Sequence, residues 1–145
     1  MKASHVFVRL MRKIRAKDDF RFRGDEMRMY GYLKQPCKLN DNDADFIYKV
    51  MIHEDEDGVF AYLYTSKDAV FCSNDQYYED VADAREDWDS EIDERGWIQI
   101  DDPLPCCQHD SVLPLRVKGR NTGNPQWEQF EILIEGEWVE YHMNP

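Results

Sequence analysis

Cysteine, histidine and aspartate fall together in one run, Cys106-Cys107-Gln108-His109-Asp110, with Pro103 and Pro105 just upstream and a strand-like stretch downstream. Thiolate, imidazole and carboxylate are all zinc ligands. A thiol beside an imidazole is also the pairing that activates a nucleophilic cysteine. The spacing argues against both chemistries. Adjacent residues cannot close a tetrahedron by themselves, so His53, Cys72 or His142 would have to converge on the loop, and no C-x-x-C pair occurs. Cys106, Cys107, His109 and Asp110 are the metal or catalytic candidates. A structural loop with a buried thiol or two is the favoured alternative, and no cofactor is expected.

Other chemistry-bearing patterns fail on particular residues. Asp41, Asp43 and Asp45 imitate the start of an EF-hand loop, but the sixth position holds Phe46 instead of glycine and the twelfth holds Ile52 instead of glutamate. There is no phosphate-cradling glycine motif, no nucleophile elbow and no H-E-x-x-H. Arg116, Lys118 and Arg120 alternate along a predicted strand, which places three cations on one face, with Leu115 and Val117 on the other. That stripe is a candidate anion site, or else it pairs with the chain's own carboxylates.

Carboxylates dominate the segment from Glu79 to Glu94, which holds nine of them against one base, Arg85. Val81, Ala84, Trp88 and Ile92 fall at helical spacing and predict a helix over 79–94 with a buried stripe. Ser73 and Gln76 resemble a capping box ahead of it, and Gly96 marks its end. Like charges four residues apart destabilise such a helix. Asp83, Glu86, Asp87, Glu91 and Asp93 are therefore expected to serve a cationic protein partner.

The elements that must position these groups are mostly strands. Phe46 to Ile52 and Val59 to Tyr64 read as a central pair, apolar on both faces, joined by an acidic connection over 53–58. Met27 to Leu33 is a further strand, and 35–45 is a loop. Trp97 to Ile100 and Leu113 to Arg120 follow, and Trp127 to Ile134 with Trp138 to His142 form a hairpin around Glu135-Gly136. Residues 1–17 are basic, with Phe7, Leu10, Met11 and Ile14 at helical spacing, and are expected to form an N-terminal helix. The fold class is thus α+β: a single domain over 1–145, mainly antiparallel sheet with one dominant amphipathic acidic helix.

Net charge is −12, and it is divided unevenly. Residues 1–35 carry ten Lys/Arg and four Asp/Glu, whereas 36–145 carry eight and twenty-six. Such a body repels nucleic acid and membrane surfaces and attracts basic proteins. No stretch approaches the roughly 20 apolar residues of a membrane helix. Four cysteines without a disulfide-like spacing predict reduced thiols and a cytoplasmic location.

Asp102-Pro103-Leu104-Pro105 with Cys107-Gln108-His109-Asp110, then Val117-Lys118-Gly119-Arg120 with Thr122-Gly123-Asn124-Pro125-Gln126-Trp127, resemble a group of small, uncharacterised bacterial proteins. That resemblance implies no catalytic residues. The Gly58-Val59-Phe60 strand into Tyr62-Leu63-Tyr64, followed by an acidic helix, is similar in style to small acidic immunity proteins, which neutralise toxins in bacterial competition. That likeness implies inhibition of a basic toxin. Three functions are thus in view: an acidic binding module for a basic protein, an enzyme or metal protein built on Cys106–Asp110, and an acidic domain with no activity of its own. Homo-oligomerisation stays open.

Overall fold

The computed structural model describes residues 27–142, and the expected N-terminal helix within 1–17 lies outside them. Among the described residues the chain is mostly antiparallel sheet with one short helix. Within the chain, contacts gather into two compact units, the first ending at Asp102 and the second beginning at Pro103.

The first unit is a five-stranded antiparallel sheet in the spatial order β4-β3-β2-β1-β5. Its strands are β1 (Met27–Cys37), β2 (Ile47–Asp55), β3 (Gly58–Tyr64), β4 (Asn74–Tyr78) and β5 (Ile98–Ile100). β2 lies at the centre, and its middle residues Val50, Met51 and Ile52 are all fully buried. A strand covered on both faces needs apolar side chains at consecutive positions, and this is why β2 lacks polar alternation. The six-residue acidic connection expected over 53–58 shrinks to the turn Glu56-Asp57, because His53 to Asp55 continue β2 in register with β3. β1 likewise runs through Pro36 to Cys37, into the expected loop. Its register breaks between Tyr32 and Cys37, and such a break accommodates a residue that cannot donate to the ladder.

One face of this sheet carries the main core. Met29, Leu33, Val50, Ile52, Val59, Ala61, Leu63 and Tyr78 gather there with Ala84, Trp88 and Ile92. α1 spans only Val81–Trp88, half the predicted length. A 3₁₀ turn, Asp89–Glu91, follows, and Ile92 is already extended. Pairing with β1 ends the helix: Ile92 bridges Leu33, and the Asp93 amide donates to the Tyr32 carbonyl at 2.8 Å. The cap also differs from expectation. Ser73 and Gln76 belong to the approach and body of β4, and Asp80 caps the helix by accepting from the Asp83 amide at 2.8 Å.

The second unit is a three-stranded antiparallel sheet, β6 (Leu115–Val117), β7 (Phe130–Ile134) and β8 (Glu137–Tyr141), in that order. Leu115, Val117 and Ile132 are buried on one face. The β7–β8 hairpin turns at Glu135-Gly136, both with positive φ, as the sequence predicts. Before it, the Arg120–Thr122 3₁₀ turn opens on Gly119 at φ 80°. A Cβ on Gly119 would collide with the Asn124 carbonyl oxygen, so this position requires glycine. The Val117-to-Pro125 segment is therefore a folded turn in its own right.

Candidate functional site

The acidic helix does not offer all its carboxylates to solvent. Asp83 is only 1% exposed, so its assignment to a partner-binding surface is corrected. It sits in the first helical turn beside Ala84, where the positive end of the helix favours a negative charge. Asp87 is also tied into the structure. The Tyr78 hydroxyl accepts from Trp88 Nε1 (3.1 Å) and lies within donating distance of both Asp87 Oδ2 and Gln76 Oε1 (2.9 Å each). Asp93 binds the Arg95 guanidinium at 2.6 Å, and this hydrogen bond holds its carboxyl below the usual range. Glu86 and Glu91 remain exposed, joined by Asp89 and Glu94. Because α1 ends at Trp88, most of the predicted like-charge pairs over 79–94 are not helical neighbours at all.

The cysteine run is a turn clipped to β6. The Cys107 amide donates to the Leu104 carbonyl at 3.0 Å, and the Gln108 amide donates to the Leu115 carbonyl at 2.6 Å. Cys106 is exposed at φ 66°, and Cys107 is buried. Burial pushes the Cys107 thiol up, and the Arg116 guanidinium offsets part of that push. A raised thiol is the opposite of an activated nucleophile. Among the described residues, no three of Cys106, Cys107, His109 and Asp110 bring donor atoms within 4.8 Å of one another.

Arg116, Lys118 and Arg120 do not form a free stripe. Arg116 pairs with Glu131 at 3.2 Å and lies 3.7 Å over the Trp138 ring. Lys118 pairs with Glu140 at 2.7 Å. β6 stops at Val117, and the left-handed Gly119 carries Arg120 off the strand into the 3₁₀ turn. Two of the three cations are thus engaged by carboxylates of their own sheet.

The first unit holds a feature that the sequence did not point to. The sheet face opposite α1 is built largely from aromatic residues. In register across the strands stand Tyr32, Lys49 and Tyr64; then Tyr30, Met51, Tyr62 and Asp75; then Arg28, His53, Phe60 and Tyr77. Lys49 is buried there, with its ammonium 4.5 Å over the Tyr64 ring and donating to the carbonyls of Lys67 (3.0 Å) and Ala69 (3.3 Å). Burial pushes this ammonium below the ordinary lysine range, and Asp68 offsets part of the shift. Arg95 lies 4.1 Å over Tyr32. Towards the β4 edge, Phe60 stacks with Tyr62 (6.1 Å) and meets Tyr77 edge-on (5.5 Å). Period-two tyrosines along β1 and β3 were the available signal, but alternation alone does not say which residues meet across strands.

Compared with protein-family models, curated proteins and solved structures, the chain matches none. Among the described residues no helix is long and apolar enough to cross a membrane.

Proposed function

We propose that this chain is an acidic binding module that engages a cationic protein, in the manner of an immunity-type inhibitor of a basic toxin. One observation carries this: the surplus of carboxylate over base among the described residues of the first unit. From Met27 to Asp102 there are twenty Asp/Glu against seven Lys/Arg. Of those seven cations Arg28 and Lys49 are buried, Arg85 is paired with Asp89, and Arg95 with Asp93. Among the described residues, Glu86, Glu91 and Glu94 stay exposed beyond these pairs and carboxylates outnumber cations, a field that attracts a basic surface.

Such a field speeds encounter and is screened over about 8 Å at physiological salt. The protein is immobilised, exposed to lysate from the cells that make it, and eluted with a sodium chloride gradient. The expected outcome is a stoichiometric basic protein released by salt, and its loss on Glu86→Lys/Glu91→Lys with the unfolding midpoint held. Capture that ignores the double charge reversal would remove the reading. Asp87 is left intact because its bond to Tyr78 makes it structural.

A further inference from the structure

We propose that the outer edge of β8 receives an extended basic segment of the cationic partner as an added strand, with a lysine or arginine opposite Glu137. This rests on the functional reading above and names the form its partner takes. β8 is last in the order β6-β7-β8, so one side of its backbone has no neighbouring strand. The two-residue turn Glu135-Gly136 closes on the pair Ile134–Glu137, and in such a hairpin the closing pair exchanges both backbone bonds. Bonded and open pairs then alternate, which makes Leu133–Trp138 and Glu131–Glu140 open. The Leu133 amide fixes the phase: it donates away from β8, to the Pro114 carbonyl at 3.0 Å. Trp138 and Glu140 therefore aim their amides and carbonyls outward, and among the described residues nothing bonds them. The opposite edge of this sheet is treated differently. Cys107 bridges Arg116 there, and the Gln108 amide donates to the Leu115 carbonyl.

An unpaired row of donors and acceptors is a template for strand addition, and the side chains beside it select the strand. Glu140 is held by Lys118 and the Trp138 ring by Arg116. Glu137 is exposed and, among the described residues, makes no ion pair. If Trp138 and Glu140 form the bonded pairs of the new ladder, Glu137 and Val139 stand in its open pairs, where facing side chains come closest. A base opposite Glu137 is thus favoured, as is an apolar residue opposite Val139, which is 45% exposed on the same face. A second copy of this chain is the disfavoured occupant, because two bodies of net charge −12 repel.

The test adds the peptide acetyl-Lys-Thr-Val-Thr-Lys-amide to the full chain at low salt, followed by amide NMR. An antiparallel fit sets its valine opposite Val139 and its last lysine opposite Glu137. The expected result is a saturable shift and slowed exchange of the Trp138 and Glu140 amides, with the Val139 amide, already bonded to β7, little changed. N-methylation of both threonine amides should abolish this, and replacing both lysines by glutamate should abolish it too. Glu137→Gln is expected to weaken binding about two- to fivefold. Equal binding of the N-methylated peptide overturns strand addition, and equal binding of the glutamate peptide overturns selection by charge. Protection of Trp138 and Glu140 that grows with protein concentration alone, with a doubled mass in sedimentation, gives the edge to a second copy and overturns the proposal. Shifts confined to Glu86 and Glu91, or a silent β8, also overturn it and leave the broader reading to the lysate capture, which is scored on Glu86 and Glu91.

Discussion

Asp93 is committed to Arg95 before any partner arrives, and its ionisation records that commitment. Its folded carboxyl is held below the usual range, chiefly by the Arg95 hydrogen bond. The pair's contribution is therefore present above the ordinary aspartate value of about 3.9 and is lost as pH falls through the lower folded value. An NMR titration should place the Asp93 midpoint below that of a free aspartate, and Arg95→Gln should move it up. An unmoved midpoint would mean the pair does not hold in solution. Thiol chemistry offers a second check at this scale. Cys107 is buried with its thiol pushed up, whereas Cys106 is exposed. Iodoacetamide near neutral pH should label Cys106 in the native protein and Cys107 only after denaturant, because the thiolate is the reacting species. Rapid native labelling of Cys107 would show that the turn opens.

α1 has two turns of helix and is held to its sheet by few residues. Trp88 is 6% exposed, and it joins the apolar cluster while its indole N–H bonds the Tyr78 hydroxyl. Trp88→Ala is expected to cost about 3–5 kcal/mol, read from chemical denaturation. A variant curve that overlays the parent would remove Trp88 from the core. Asp80 satisfies the Asp83 amide at the start of the helix, and Asp80→Ala should cost about 0.5–2 kcal/mol. Tyr78→Phe keeps the ring volume but deprives both Trp88 Nε1 and Asp87 Oδ2 of their shared hydroxyl. It should cost about 1–3 kcal/mol, since a buried donor loses its acceptor.

A net charge of −12 on 145 residues sets a property of the whole molecule, self-repulsion. Net charge far from zero maintains solubility and opposes the compact state, and salt screens it. The thermal midpoint is expected to rise as sodium chloride goes from dilute buffer to about the physiological range. A fall would mean that internal pairs such as Arg116–Glu131 outweigh the repulsion. This measurement needs no partner, so it separates the cost of the carboxylates from their use.

Much was legible without coordinates. Val50-Met51-Ile52 marked a strand buried on both faces, and Val81, Ala84 and Trp88 marked the inner side of a helix. Glu135-Gly136 marked the last hairpin. Each is a local consequence of periodicity or backbone conformation, which neighbouring residues encode. The helix length, the fate of its carboxylates and the grouping of the tyrosines were decided by tertiary contacts. Ile92 left the helix for a bridge with Leu33, and Asp83 and Asp87 turned inward. β4, with Asn74 and Asp75 at its start, carries weak strand propensity and exists because β3 offers it a register. Tyr77 comes beside Phe60, and Asp75 across from Tyr62, only through that pairing. Composition sets how many carboxylates and rings this chain has, whereas strand register, a long-range property, decides which of them stand together.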